Sequence, residues 1–169
     1  SLSAVEVSAV TDSDSNVTDT STTGTTGVTL TQDAKGALYI TKGTNNIAIV
    51  DSNDVAVNFD WTESWGGQSH TAKSWAVEGI DSDSDGSIDK YKLAIKHSFV
   101  DKVTSEEDTF WETIEIATTG VVDWNSGTFG EIQIHEADLN QDLDESGEIW
   151  SLSQQIAALT QISTDSKGA

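Results

Sequence analysis

Apolar residues return at every second position over most of this chain, and short polar runs interrupt them. Residues 37–41, 46–50 and 55–59 are brief alternating or apolar runs. They are separated by Gly43-Thr-Asn-Asn46 and Asp51-Ser-Asn-Asp54, whose residue types favour turns. Residues 74–80 and 88–99 form a further pair, in which Tyr91, Leu93 and Ile95 alternate with Lys92, Ala94 and Lys96. Over residues 109–117, Trp111, Thr113 and Glu115 fall on one face, and Phe110, Glu112, Ile114 and Ile116 on the other. Thr118-Thr-Gly120 and Asn125-Ser-Gly127 read as turns. This pattern predicts a mainly β domain, an antiparallel β-sandwich or meander.

The period changes near the C-terminus. Ile132, His135, Leu139 and Leu143 are spaced by 3, 4 and 4, and Ile149, Leu152, Ile156 and Leu159 follow a similar rhythm. Two short helices closing the domain are expected there, although residues 131–134 fit the start of a strand equally well. At the other end, residues 1–32 carry no Lys or Arg and are crowded with Ser, Thr and Gly. That is the composition of a linker arm. Two strand-like patches break it, one with Val5, Val7 and Val10, the other with Val28 and Leu30. Such a patch either joins its own domain's sheet or is donated to a neighbour. The expected organisation is an arm at 1–32, a domain at 33–164 and a tail at 165–169. Leu30-Thr-Gln-Asp33 returns as Leu159-Thr-Gln near Asp165-Ser-Lys-Gly-Ala169, so the tail reads as the opening of a further repeat.

Between the paired strands stands Asp81-Ser-Asp83-Ser-Asp85-Gly86-Ser87-Ile88-Asp89, the ligand half of an EF-hand-type loop at the tip of a β-hairpin. Alternate carboxylates offer hard oxygen donors, Gly86 permits the sharp turn, and Ile88 returns to the core. A second loop reads Asp142-Leu-Asp144-Glu-Ser146-Gly147-Glu148-Ile149, with Asp138 and Asn140 just upstream. Expected Ca²⁺ ligands are Asp81, Asp83, Asp85, Ser87 and Asp89 in the first loop. The second would use Asp142, Asp144, Ser146 and the Glu148 carbonyl, with Asp138 and Asn140 as alternates. The twelfth positions are Lys92 and Ser153, so neither loop has the closing bidentate Glu. Affinity near ~10⁻⁴–10⁻³ M, as in extracellular modules, is expected. A solvated turn is the plain alternative for either loop alone.

Charge narrows the partners. The 169 residues hold 29 acidic and 8 basic side chains, a net charge of −21. Nucleic acid is excluded as an expected partner, because phosphate binding needs basic stripes. Self-repulsion at this density is relieved by multivalent cations, which suggests a Ca²⁺- or salt-rich extracellular or cell-surface setting. No run of 18 apolar residues is present, so no membrane-spanning helix is expected. Cys, Pro and Met are absent. A chain without Met is expected to be a processed or excised piece, with any signal peptide removed.

Six tryptophans are many for this length. A β-sandwich spends them on its core and sheet edges, but Trp61, Trp65 and Trp75 also suit a platform for stacking sugars. His70, His97 and His135 fall in unrelated segments, and no catalytic constellation stands out. An enzyme is not expected, and a secreted hydrolase is the least favoured class.

Residues 36–150 resemble the tryptophan-rich C-terminal domain named from Synechocystis proteins. The resemblance rests on Gly36-Ala-Leu-Tyr-Ile, Ser74-Trp-Ala, Lys90-Tyr-Lys-Leu-Ala-Ile-Lys, Thr119-Gly-Val-Val-Asp-Trp124 and Glu136-Ala-Asp-Leu-Asn-Gln-Asp-Leu-Asp144. It implies a secreted bacterial module, often present in several copies and ending in an acidic loop. The chain departs from that pattern at Leu143-Asp144-Glu145-Ser146, which leaves Asp138 and Asp142 as rival openers of the second loop. The expected role is a structural calcium-binding repeat of an adhesin or filament, whose partners are copies of itself or neighbouring repeats. A carbohydrate-binding module recognising surface glycans is the alternative.

Overall fold

The computed structural model describes residues 7–9 and 27–130, together with Glu136 and Leu139. Among the described residues, nine strands form two antiparallel sheets. The smaller has the order β1 (Val7–Ala9), β2 (Val28–Asp33), β3 (Leu38–Lys42), β4 (Asn45–Ala48). The larger runs β5 (Trp61–Trp65), β6 (Gln68–Ile80), β7 (Lys90–Asp101), β8 (Glu107–Ala117), β9 (Val122–Gly130). A meander of this kind follows from short links between strands that alternate in polarity. The expected mainly β, antiparallel fold is therefore present.

Local chemistry fixes the links. Gly66 and Gly67 both adopt positive φ, 51° and 82°, in the two-residue turn from β5 to β6, as a hairpin of matched twist requires. Asp33 Oδ1 accepts the Lys35 and Ala37 amides at 2.9 Å each and turns β2 into β3. Asp51 Oδ1 takes the Asn53 and Val55 amides at 2.8 and 3.0 Å. Asp101 Oδ1 receives those of Val103 and Thr104 at 2.7 and 3.1 Å. Many of the chain's acids are thus turn builders.

One chain crossing joins the sheets. Val50 donates to the Gly120 carbonyl at 3.0 Å, and Val122 donates to the Val50 carbonyl at 2.9 Å. Val50 thereby bridges in parallel to Val121, the residue before β9. The assembly curls through this corner into a half-barrel around one core of Val28, Leu30, Leu38, Ile40, Ile49, Phe59, Val77, Tyr91, Leu93, Ile95, Ile114, Ile116 and Val122. On β7 the inward residues are Tyr91, Leu93 and Ile95, and the same face continues through His97 and Phe99. Across the sheet, Ala76, Ala94 and Trp111 make a second cluster with Leu139, against which Trp75 packs.

Several expectations change here. Residues 55–59 are not a strand: Ala56 makes an isolated bridge to Val50, Val57 donates its amide to the Ile49 carbonyl, and the Val57 and Phe59 side chains pack into the core. The supposed turn at 125–127 lies inside β9, where the β8–β9 register shifts and Ser126 Oγ accepts the Glu115 amide at 2.7 Å. Of the two destinations open to the arm, the structure shows the chain's own sheet: Val7 pairs with Asp33 and Ala9 with Thr31. Val28 and Leu30 are core residues, not a free patch. The helical closure and the second loop lie outside the described residues, except that Glu136 and Leu139 are helical and buried.

Gly120 is the test of the corner. It has φ +93°, and a Cβ there would sit 2.0 Å from the Ala48 carbonyl oxygen, which is backbone and cannot swing aside. Gly120→Ala should destabilise by roughly 2–5 kcal/mol, from left-handed strain plus overpacking. Urea unfolding measures this, and a change below about 0.5 kcal/mol would show that the corner is not a constraint.

Candidate functional site

The β6–β7 hairpin carries two groups of chemical interest, one beyond its tip and one along its base. At the tip, Ile80 ends β6 and Lys90 begins β7. Asp89 donates its amide to the Ile80 carbonyl at 2.8 Å, closing the loop. Within it, Asp81 Oδ2 accepts the Gly86 amide at 2.8 Å and Oδ1 that of Asp85 at 3.2 Å. Asp89 Oδ2 accepts from Ser82 at 2.7 Å, and Asp85 Oδ1 from Ser87 at 2.8 Å. Gly86 has φ 90° and Ser84 φ 62°, so the chain coils back on its own carboxylates. Ile88 anchors the coil by packing on the core and crowding Gly79, where a Cβ would meet its Cδ1 at 2.7 Å.

The outcome is convergence. One carboxylate oxygen from each of Asp81, Asp83 and Asp89 lies within 4.8 Å of the others. Two oxygens on a common Ca²⁺ at about 2.3–2.6 Å are at most about 5 Å apart, so this spacing suits that ion. The donor set is all oxygen, as a hard cation prefers. Asp85 stands outside the trio, and Ser87 enters as donor of the Asp85 bond. Lys92, at the twelfth position, pairs in register with Glu78 and Glu115 along the strands and offers no acidic ligand. The Gly86 amide, aided by that of Asp85, holds the Asp81 carboxyl below its usual range despite partial burial. Asp138, Asn140, Asp142, Asp144, Ser146 and Glu148 lie outside the described residues.

At the base, register assembles what sequence spacing hides. Trp61 pairs with Ala72, Glu63 with His70, and Trp65 with Gln68. His70 pairs with Phe99, His97 with Phe110, and Glu112 with Phe129. These residues share the inward face of the large sheet, beyond the end of the core. His70 Nε2 meets His97 Nδ1 at 2.9 Å, and His97 Nε2 meets Glu112 Oε2 at 2.9 Å. His70 stacks on Phe99 with centroids 4.0 Å apart, and His97 stacks on Phe110 at 4.4 Å. Trp61 and Trp65 stand edge-on to His70 at 4.5 and 6.2 Å. The two histidines that fall in unrelated segments of sequence are therefore direct partners. They are diagonal neighbours on adjacent strands, a relation visible only once register is known.

Trp75 does not join this group. It packs on Trp111 at 5.7 Å beneath Lys96 Nζ, 4.8 Å from its ring, on the opposite face. The structure thus brings Trp61 and Trp65 together and sends the third member of the expected platform elsewhere. No protein-family model, curated protein or solved structure matches this chain.

Burial, and secondarily His97, holds His70 below the ordinary imidazole value, with Glu63 opposing. A depressed histidine binds its proton more readily when unfolded. Its contribution to stability is therefore full above about pH 6.5 and declines as pH falls through that value. An NMR titration should place the His70 midpoint below about 6.5; a midpoint above it would mean that Glu63 outweighs burial.

Proposed function

We propose that this chain is a structural, calcium-stabilised β module of an extracellular or bacterial cell-surface assembly. The observation that carries this reading is the convergence of Asp81, Asp83 and Asp89 at a hairpin tip. Three like charges at this separation repel one another by roughly 1 kcal/mol per pair even in water. A divalent cation reverses the sign of that interaction, and here it would clamp the two longest strands of the domain at their shared end. The net charge of −21 supports the same reading, since calcium-rich surroundings relieve repulsion over the whole molecule.

A second ion in the loop at 138–149 belongs to the same proposal, held by Asp142, Asp144, Ser146 and the Glu148 carbonyl, or opened by Asp138 and Asn140. So does kinship with the tryptophan-rich repeat modules, in which tandem copies would present such pinned domains in an adhesin or filament. Loops lacking the twelfth-position Glu stay filled at extracellular calcium and act as pins, not switches.

At a dissociation constant near 10⁻⁴–10⁻³ M, raising Ca²⁺ to about 10 mM stabilises each site by roughly 1.4–2.7 kcal/mol. Calorimetry in 10 mM Ca²⁺ should therefore give a melting temperature several degrees above that in EDTA. Asp81→Asn combined with Asp83→Asn should remove the first loop's share. Superimposable melting curves in EDTA and Ca²⁺ would end the proposal.

A further inference from the structure

At the end of the large sheet's inner face that no other described element covers, Trp61, Trp65 and Phe129 are 40%, 46% and 62% exposed. These aromatics surround the His70–His97–Glu112 chain. Exposed apolar surface gathered around partly buried polar groups is the usual makeup of a recognition surface. Its polar members decide what it would recognise.

Proton placement follows from the chain of contacts. With Glu112 ionised and both rings neutral, Glu112 Oε2 must accept from His97 Nε2–H. His97 Nδ1 is then the acceptor, and His70 must donate to it through Nε2–H. The Nδ1 lone pair of His70 is left over, and no described residue hydrogen-bonds to it. Glu63 opposes His70 across β5 and β6, and Asp108 opposes Phe99 across β7 and β8. These additions are acceptors too. Lys73 pairs with Lys96, and Lys96 with Trp111, so both lysines belong to the opposite face. The shelf therefore combines aromatic surface, negative charge and a ring nitrogen that can only accept.

We propose that this shelf binds a protonated amine carried on an apolar stem, such as a lysine-like side chain. Trp61 and Trp65 would contact the cation and its adjoining methylenes, Glu63 would supply counter-charge, and His70 Nδ1 would accept one N–H. Charge complementarity selects this ligand class. An anion is repelled by Glu63, Asp108 and Glu112. A neutral sugar could donate hydroxyls but would leave the carboxylates uncompensated. Attraction of a cation to tryptophan faces adds to the preference.

The relay also makes binding sensitive to pH. One added proton on His70 gives that ring two N–H groups: Nε2–H still donates to His97, and the outward Nδ1 becomes a donor. The groups facing His70 are Glu63 from β5, His97 from β7, and Asp108 and Glu112 from β8. A cationic ligand then meets both a donor where it needs an acceptor and an added positive charge.

The test is an NMR titration of the full chain in 0.15 M salt with n-butylammonium, n-butanol and cellobiose as separate probes. Butylammonium should shift the Trp61 and Trp65 indole and His70 imidazole signals saturably, and more weakly at pH 5 than at pH 7.5. Trp61→Ala and Trp65→Ala should each lower its affinity about two- to fivefold. Should either fail to fold, Glu63→Gln at its exposed edge position reads the same site and should also weaken binding. Equal response to butanol would overturn the proposal in favour of bare apolar contact. Preferential saturation by cellobiose would make the shelf a glycan site. Unchanged affinity in the folded variants would mean diffuse attraction of the cation to an acidic chain.

Discussion

The corner at Val50 and Gly120 is the constraint on which the rest of this structure depends. Two backbone hydrogen bonds, Val50 to Gly120 and Val122 to Val50, turn one sheet over the other. Without that fold-over, each sheet would present a row of Val, Leu and Ile to water. With it, Leu38, Ile40 and Ile49 from one side meet Leu93, Ile95 and Ile116 from the other at nearly full burial. Fully burying such a side chain contributes about 1.5–3 kcal/mol each, so a local backbone contact governs a large hydrophobic term. Gly120 sits where the Ala48 backbone closely approaches the turn after β8.

The same corner explains why a recognition shelf exists. β3 and β4 have five and four residues, whereas β6, β7 and β8 have thirteen, twelve and eleven. A short sheet folded onto a long one covers only part of its face. The covered part is aliphatic, and the uncovered part changes to His, Phe, Trp and Glu on the same strand positions. On β7 the switch falls between Ile95, in the core, and His97, in the hydrogen-bonded chain. The opposite face has its own cover, in which Trp111 and Trp75 pack with Leu139. Both faces of the large sheet are thus used, which is why Trp111 and Thr113 are buried although they oppose the main core.

Strands with one clear burial pattern were legible in the sequence, and strands without one were not. β3, β7 and β8 alternate because each sets an aliphatic face against the core. β5 is exposed along its whole length and reads Trp-Thr-Glu-Ser-Trp, with no apolar period to detect. Its signal was the Gly66-Gly67 turn. β9 was hidden by Asn125-Ser-Gly127, whose turn-forming residues accommodate a register shift and do not end the strand. Residues 55–59 misled in the other direction, since Val57 and Phe59 are apolar for packing while their backbone makes almost no ladder. The acidic loop was legible because its carboxylates are local: Asp81, Asp83 and Asp89, which converge, lie within one short stretch of chain. The histidine relay was not, because 27 positions separate its two rings in sequence.

Distance keeps the two ends of the hairpin physically separate. From His70 to Ile80, β6 rises about 3.3 Å per residue, roughly 33 Å in all. At physiological ionic strength the Debye length is about 8 Å, so charge placed at Asp81 is screened before it reaches His70. Any coupling between them must pass through packing, along β6 and β7. Yet the β6–β7 register is interrupted once, between Ser74 and Ala76, just past Ala72 and Ile95, where the core has already begun. Ser74 is held there by its amide bond to Asp60 Oδ1 at 2.6 Å, which ties the entry of β5 to the middle of β6. That irregularity lets the strands change twist between their two halves. A cation bound at the tip, as proposed, would therefore act on global stability, whereas the shelf would answer to the local state of Glu112, His97 and His70.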